Sequence, residues 1–206
     1  MYKEVFDYIK TAEQNFDLIR DKRKAELEQI AAFVSQKVAL GEDAKLIYIC
    51  THNSRRSHFG QIWAATAAAY YGIPNVKTYS GGTEATAFNP RSVAAVKRVG
   101  FEVLATTVGT NPVYHVKFDE KGSDIVAFSK KYDDASNPQN DFCAIMTCNS
   151  ADQACPIVFG ASLRVATQYE DPKAFDDTPD EAKMYDERCK QIATETLYLF
   201  SKVMRG

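Results

Sequence analysis

The sequence predicts an α/β fold in which a parallel sheet is covered by helices on both faces. From residue 45 onward, short apolar runs alternate with helix-like stretches, the pattern of repeated strand–helix–strand units. The first run, LIYI at 46–49, ends at a cysteine and is followed by a polar loop and a helix-like stretch at 59–64. Residues 1–40 instead repeat apolar side chains at helical intervals. Ligands of such folds bind at the carboxyl ends of the strands, so we expect the functional site there.

The composition limits the classes of protein to consider. The chain has 206 residues, 45% of them hydrophobic, enough for one sizeable core with an appendage. We divide it into a helical N-terminal extension, residues 1–42, and a catalytic domain, residues 43–206. The net charge of −2 predicts neither a nucleic-acid partner nor a membrane partner, and no signal peptide or membrane span is recognised. Five cysteines without secretory context predict a reducing, cytoplasmic location rather than a disulfide scaffold.

The N-terminal extension is predicted to form two helices. Its apolar residues recur at helix-like intervals on either side of a charged break at residues 20–24. They are Phe6, Ile9, Phe16 and Ile19 before the break, and Leu27, Ile30, Phe33, Val34 and Val38 after it. We expect these helices either to pack on the main body or to form a homodimer contact.

The main body is predicted to alternate strands with helices. Strands are expected at 45–50, 76–79, 101–104, 142–147 and 163–167, and helices at 57–71, 90–99 and 181–203. Residues 80–83 (SGGT) are expected to form a turn, and alternating apolar and polar residues at 112–131 predict a β-hairpin. Cys143, inside its strand, and Cys189, on the last helix, are expected to be core residues.

The segment CTHNSRRS at 50–57 is predicted to bind an anion. Placed between a strand and a helix, it would surround Cys50 with backbone N–H groups and the positive end of the helix dipole, while Arg56 supplies a planar fork of donors. Such a site suits a tetrahedral dianion such as phosphate or arsenate. The same positive field favours the thiolate form of Cys50, which makes its sulfur a nucleophile beneath the bound oxyanion.

Several residues of this loop are expected to contribute individually. The Ser57 hydroxyl can steady the thiolate, and Asn53 can adopt a left-handed backbone conformation and tie the loop together through its amide. No metal site is predicted. The residues predicted to line the oxyanion site are Thr51, His52, Asn53, Ser54, Arg55, Arg56 and Ser57.

The chain resembles the low-molecular-weight protein tyrosine phosphatase superfamily, which includes the thioredoxin-coupled arsenate reductases. The resemblance rests on residues 50–57, on Asp171 followed by Pro172, and on the strand–helix order between them, and it spans residues 45–204. It implies a small four-stranded parallel sheet, with the active-site loop after the first strand. It also implies that Cys50 is the nucleophile, Arg56 the oxyanion clamp and Asp171 a general acid on a mobile loop, with Asp176 and Asp177 as weaker candidates.

Two residues depart from the superfamily pattern. His52 stands where glycine is usual, so we expect either backbone strain, if its φ is positive, or a positive charge at the rim of the site. Arg55 stands where a small or thiol residue is usual. It is expected to point to solvent or to a neighbouring carboxylate, or else to contact the substrate.

A second pair of cysteines separates the branches of the superfamily. Cys148 and Cys155, after the strand at 142–147, resemble the resolving pair of the arsenate reductases, which the phosphatases do not require. In a helix their sulfurs would lie about 10 Å apart along the axis, too far for a disulfide, so the segment would have to unwind. The alternative is that both are buried structural thiols.

The resemblance therefore leaves three functions to compare. The first is reduction of arsenate to arsenite through Cys50, with Cys148 and Cys155 as the resolving pair, a thioredoxin-like reductant and no tightly bound cofactor. The second is hydrolysis of phosphomonoesters, as by a phosphotyrosine phosphatase, through a cysteinyl-phosphate. The third is an oxyanion or redox sensor without turnover.

Overall fold

The computed structural model describes residues 1–122, 124–155 and 157–204, beginning with a helical arm. The arm contains α1 (Lys3–Glu13), a 3₁₀ turn (Phe16–Leu18) and α2 (Asp21–Ala39). The break between its helices lies at residues 14–20 and not at the charged residues 20–24, because α2 begins at Asp21 and takes most of that charged run into its first turns. The apolar faces of both helices pack against the last helix of the chain, α6 (Glu181–Ser201).

The main body alternates strands with helices near both of its ends, as predicted, and has a run of four successive strands in its middle. Its first half contains β1 (Ala44–Cys50), α3 (Arg56–Tyr71), β2 (Val76–Gly82), α4 (Pro90–Val99) and β3 (Glu102–Ala105). The second half contains β4 (Tyr114–Lys117), β5 (Ile125–Ala127), β6 (Phe142–Met146), α5 (Asn149–Ala154), β7 (Ala161–Ala166), a 3₁₀ turn (Pro172–Phe175) and α6 (Glu181–Ser201).

The main sheet is parallel and four-stranded, in the order β2-β1-β6-β7. This confirms the predicted fold class. The chain passes from β1 to β2 on one side, whereas β6 pairs with the other side of β1, so the loops after β1 and β6 leave the same edge of the sheet as neighbours. Since Ile49 is paired with Met146, the residues that follow these two strands lie close together.

A second, antiparallel sheet has the order β3-β4-β5. The predicted hairpin is its β4–β5 pair. The strand-like stretch at 101–104 contributes β3 to this sheet, where Val103 pairs with Val116 on the buried face, and not to the parallel sheet. The burial pattern explains this difference. Strand β3 buries only one of its faces, as antiparallel strands commonly do, whereas the central parallel strand β1 is buried on both faces.

Strand β2 extends beyond the predicted residues 76–79 to Gly82. Gly81 and Gly82 pair with Ile49 and Cys50, so the turn expected at 80–83 is in fact mostly strand. The lack of side chains lets this part of β2 approach its neighbours closely: a β carbon on Gly81 would collide with Tyr132. The last residues of β2 therefore lie directly beside the loop that follows β1.

In the part of the chain that the structure describes, no helix combines the length and apolar character required to cross a bilayer.

Candidate active site

Cys50 is the last residue of β1, and its sulfur lies at the start of a chain of polar contacts. The side chain is 3% exposed, and its Sγ lies 3.1 Å from the Ser57 hydroxyl. Asn53 Nδ2 donates to the same hydroxyl oxygen at 2.9 Å. Because the amide supplies the hydrogen bond that this oxygen accepts, the hydroxyl proton is free to point at the sulfur, which stabilises a thiolate there.

Asn53 holds the loop in shape. Its φ is 43°, the left-handed conformation expected for it, and its Oδ1 accepts a hydrogen bond from the backbone N–H of Lys130 at 2.9 Å. The backbone of His52 is not left-handed, so the strain considered for that residue is absent. The turn takes its left-handed residue one position later, at an asparagine, which tolerates this conformation. The half-exposed His52 ring lies 3.6 Å from the Glu84 carboxylate, at the rim of the loop.

Arg56 begins α3, and its largely buried guanidinium faces the acid loop. Nη2 donates to Asp171 Oδ2 at 2.6 Å and Nη1 to the Tyr169 carbonyl at 3.0 Å. The buried Nε has no partner among the described residues. An unpaired buried donor is costly, so this edge of the guanidinium suits an acceptor from outside the chain, such as an oxyanion.

Asp171 joins this site to the 3₁₀ turn. Its Oδ1 accepts a hydrogen bond from Lys173 N at 3.1 Å and caps the turn Pro172–Phe175, while its Oδ2 is paired with Arg56. The bond to Lys173 also fixes the direction in which the carboxylate faces. Asp171 is therefore both a cap and a neighbour of the predicted oxyanion clamp.

Arg55 is buried and directed towards carboxylates. Its Nε donates to the Tyr185 hydroxyl at 2.8 Å and lies 3.8 Å from Asp171, and its Nη2 lies 3.5 Å from Asp176. The expectation that it points to solvent is wrong, and the carboxylate alternative is correct. Asp176 also accepts from the Tyr185 hydroxyl at 2.7 Å, and burial raises the pKa of Tyr185 to about 12. Asp177, in contrast, has a side chain 87% exposed.

Cys148 lies beside the Cys50 loop. Its Sγ is 3.4 Å from the Thr51 hydroxyl and accepts from the backbone N–H of Ala151, which makes Cys148 the cap of α5. Cys50 and Cys148 belong to one buried apolar cluster, and the partly buried Cys155 packs against it. The fold therefore brings the first thiol of the second pair to the rim of the loop without any rearrangement.

Helix α5 separates Cys148 from Cys155. Arg164 fastens the end of this helix by donating to the Cys155 carbonyl at 3.1 Å and to the Asp152 carbonyl at 2.8 Å. A cation on the last carbonyls stabilises a helix. The helical arrangement, in which the two sulfurs cannot bond, is therefore the one found here.

The other two cysteines are core residues, as predicted. Cys143 lies in the fully buried strand β6, and Cys189 on α6 accepts a hydrogen bond from Trp63 Nε1 at 3.3 Å. Burial raises the pKa of both thiols, that of Cys189 to about 12. Neither thiol is a nucleophile at neutral pH.

Several residues that support the loop carry no recognisable signal in the sequence. The buried His58 ring lies 2.9 Å from the Asn53 carbonyl, and its pKa is lowered to about 3 by burial and by the charge of Lys130, so the ring is neutral. Burial lowers the pKa of Lys130 itself to about 8. Ser129 Oγ donates to the His52 carbonyl at 2.9 Å. His58 directly follows the loop in sequence, but Ser129 and Lys130 follow β5 and lie 77 residues from their partners in the loop, so only the fold could locate these two.

Gly82 presses against the same loop, and replacing it with alanine is expected to distort the oxyanion site. A β carbon there would lie 2.6 Å from both Asn53 N and Thr51 O, and these backbone atoms cannot turn away. We expect Gly82→Ala to cost about 1–3 kcal/mol of the free energy of unfolding, as other overpacked sites do. It should also weaken phosphate binding, which urea unfolding and titration of the two proteins will measure.

Gly41→Ala is the control for this prediction. Gly41 has a left-handed backbone and no neighbour within 4 Å of an added β carbon, so the change should cost stability but leave phosphate binding unaltered. Equal phosphate affinities for Gly82→Ala and the unchanged protein would contradict the prediction.

A cleft of about 1290 Å³ opens over the site. Thr51, Arg56, Cys148 and Asp171 line it, together with residues of the helical arm and of α6. Thr51 lines the cleft but Cys50, the residue before it, does not, because the Cys50 side chain is buried. In the described ranges no three His, Cys, Asp or Glu side chains are grouped closely enough to bind a metal ion.

Comparisons with known proteins identify relatives of the chain and a solved structure of the same fold. No family model matches the chain. It is 30% identical to arsenate reductase 2 of Staphylococcus haemolyticus over 117 residues, 56% of this chain and 70% of that protein. It is 29% identical to the arsenate reductase of Bacillus subtilis over 159 residues, 77% of this chain and 96% of that protein. A low-molecular-weight phosphotyrosine phosphatase from Vibrio cholerae has the same fold, with a TM-score of 0.51, 12% identity and coverage of 77% of this chain and 95% of that chain.

Proposed function

The chain belongs to the low-molecular-weight protein tyrosine phosphatase superfamily, and we propose that it is an arsenate reductase that resolves its reaction through Cys148 and Cys155. The observation that carries this proposal is the 3.4 Å separation of the Cys148 sulfur from the Thr51 hydroxyl. Hydrolysis of a phosphoester needs no second thiol, whereas reduction needs one beside the first. The names of the relatives support the same choice.

The first step joins arsenic to Cys50. Arsenate binds to the backbone N–H groups of the loop, and the Arg56 guanidinium donates hydrogen bonds to its oxygens and balances their negative charge. The Cys50 thiolate attacks arsenic and forms an S–As(V) bond. Asp171 donates a proton to the departing oxygen, which leaves as water. Ser57 and Asn53 hold the thiolate until it reacts.

The second step transfers two electrons to arsenic. The Cys148 thiolate attacks the Cys50 sulfur, and the S–As bond breaks with its electron pair remaining on arsenic, which leaves as arsenite. Two thiols have then become the Cys50–Cys148 disulfide, so the electrons balance. Two observations favour this attack: Cys148 contacts Thr51, the residue after Cys50, and it shares a buried apolar cluster with Cys50.

The third step regenerates Cys50. The Cys155 thiolate attacks the Cys148 sulfur and expels the Cys50 thiolate, leaving a Cys148–Cys155 disulfide. Helix α5 has to unwind for this, since its two ends are too far apart in the helical form. A thioredoxin-like protein dithiol then reduces the bridge and is itself oxidised, and no tightly bound cofactor takes part.

Phosphomonoester hydrolysis is the second candidate. Cys50, Arg56 and Asp171 would serve it in the same way, with water attacking a cysteinyl-phosphate. The cleft favours it in one respect, because about 1290 Å³ is far more space than a single tetrahedral oxyanion fills. A phosphorylated side chain with its surroundings would fit there.

The decisive experiment measures arsenate-dependent oxidation of NADPH in the presence of thioredoxin and thioredoxin reductase. We expect the unchanged protein to turn over many times, and Cys148→Ser and Cys155→Ser to lose multiple turnover. The matched control is Cys143→Ala, which removes a buried thiol outside the reaction and should keep the activity.

Full activity in both serine variants would contradict the proposed resolving pair. Hydrolysis of para-nitrophenyl phosphate by the same preparations, insensitive to both substitutions and without arsenate reduction, would favour the phosphatase. If the protein bound oxyanions without turning over either substrate, a sensor would replace both enzymes.

A further inference from the structure

Arg23, in the second helix of the arm, reaches across to the segment that carries the predicted acid. Its Nη2 donates to the Gln168 carbonyl at 2.7 Å, and its guanidinium lies over the Tyr169 ring at 5.2 Å. Its Nε lies 3.3 Å from Glu195 on α6, and most of the side chain is buried. A guanidinium held by a carboxylate, a carbonyl and a ring face is fixed in position.

The segment that Arg23 holds is the one that contacts Arg56. The buried Tyr169 offers its carbonyl to Arg56 Nη1 at 3.0 Å, and Asp171, two residues later, offers its carboxylate to Nη2. Residues 169–171 therefore accept hydrogen bonds from both terminal nitrogens of the Arg56 guanidinium, Nη1 and Nη2. The position of the clamp depends on where that segment lies.

Little regular structure holds this segment in place. Residues 167–170 lie between β7 and the 3₁₀ turn with no helix or strand of their own. Tyr169 N donates to the Thr147 carbonyl at 3.0 Å, and Gln168 Nε2 donates to Asp152 on α5 at 2.8 Å. Arg23 supplies further contacts from the helical arm, to the Gln168 carbonyl and the Tyr169 ring, and its loss would remove both of them.

We propose that Arg23 is a positioning residue of the active site, and that through it the N-terminal arm holds Tyr169 and Asp171 in register with Arg56. The arm is then part of the catalytic machinery and more than a packing appendage. The inference rests on the proposed function only in taking Arg56 as the oxyanion clamp. It does not depend on whether arsenate or a phosphoester is the substrate.

The test compares four variants in two measurements. The first is the phosphate concentration that protects Cys50 from iodoacetamide, followed by mass spectrometry of the Cys50 peptide. The second is kcat/KM with arsenate and thioredoxin. We expect Arg23→Ala to weaken protection about tenfold and to lower kcat/KM by about 10- to 100-fold, since misplacement of a reacting group by 1 Å costs this much. Arg23→Lys should recover part of the phosphate protection and part of kcat/KM.

Two controls separate positioning from charge and from stability. Lys22→Ala removes an exposed positive charge from the same wall of the cleft, and should change neither measurement by more than about twofold, because exposed charges are screened. Tyr198→Phe removes another contact between arm and body, the hydrogen bond to Glu28 at 2.6 Å. It should lower Tm without altering phosphate protection.

The outcomes separate this inference from the proposed function. It is overturned if Arg23→Ala loses no more than Lys22→Ala, or if Tyr198→Phe weakens phosphate protection as much at an equal fall in Tm. If Arg23→Ala alone weakens protection while the unchanged protein reduces no arsenate, the proposed reductase fails and the positioning role stands.

Discussion

Replacing Arg56 with lysine is expected to lower kcat/KM for arsenate by about 10²–10³-fold, the loss usual when one donor to a developing oxyanion is removed. Lysine keeps the positive charge but not the planar fork, so it cannot contact an oxyanion while also reaching the Tyr169 carbonyl and Asp171. The effect should appear in both arsenate reduction and hydrolysis of para-nitrophenyl phosphate, because both use the same clamp.

The same substitution should abolish stabilisation by phosphate. In the unchanged protein the buried Arg56 Nε has no partner in the described residues, and a bound oxyanion would supply one. Phosphate at 100 times its dissociation constant should then stabilise the folded state by about 2.7 kcal/mol, measured as a rise in Tm. Arg56→Lys should show almost no rise at the same phosphate concentration.

Arg98→Lys is the matched control, since Arg98 makes an exposed pair with Asp186, away from the site. It should keep both the activity and the rise in Tm. If Arg56→Lys bound phosphate as tightly as this control, Arg56 would not be the clamp.

The sequence was sufficient to predict the strand–loop–helix around Cys50, because each part carries a local signal. An apolar run precedes the loop, an asparagine within it tolerates the left-handed conformation, and α3 has a helix-like sequence. The neighbourhood of Cys50 and Cys148 was predicted only through the resemblance to a known superfamily. Its physical cause, the pairing of β6 with β1, becomes visible only in the strand order.

The supports of the site could not be predicted, because they come from distant parts of the chain. Lys130 and Ser129 meet the loop from the far side of the hairpin, 77 residues away. Arg23 contacts Gln168 across 145 residues. Each is an ordinary surface-type residue in the sequence, and nothing in its local pattern distinguishes it from a solvated one. The orientation of the Arg55 side chain could not be predicted for the same reason, since it depends on a hydrogen bond to Tyr185 of α6, 130 residues later.

Asp171→Asn is expected to separate binding from catalysis. Asparagine can still cap the 3₁₀ turn through its Oδ1, so the loop should keep its shape. It cannot donate a proton as an acid, and loss of a general acid lowers kcat by about 10²–10⁴-fold.

Phosphate binding should move in the opposite direction. In the free protein Asp171 Oδ2 accepts from Arg56 Nη2 at 2.6 Å and competes with an incoming dianion for that donor. A neutral amide removes that competition, so we expect protection of Cys50 by phosphate to be retained or to improve. Removing a residue that only supported the fold would weaken binding and turnover together.

Asp177→Asn is the control for this split. Asp177 lies six residues further along, is largely exposed and pairs with Arg91, not with the clamp. Its loss should change kcat by less than about threefold, as is usual for an exposed ion pair. If phosphate affinity and kcat fell together in Asp171→Asn, the role of Asp171 would be only to cap its turn. Unchanged kcat would mean that another group facing the cleft is the acid. We expect neither outcome, because Asp171 contacts Arg56 through one oxygen and caps its turn through the other.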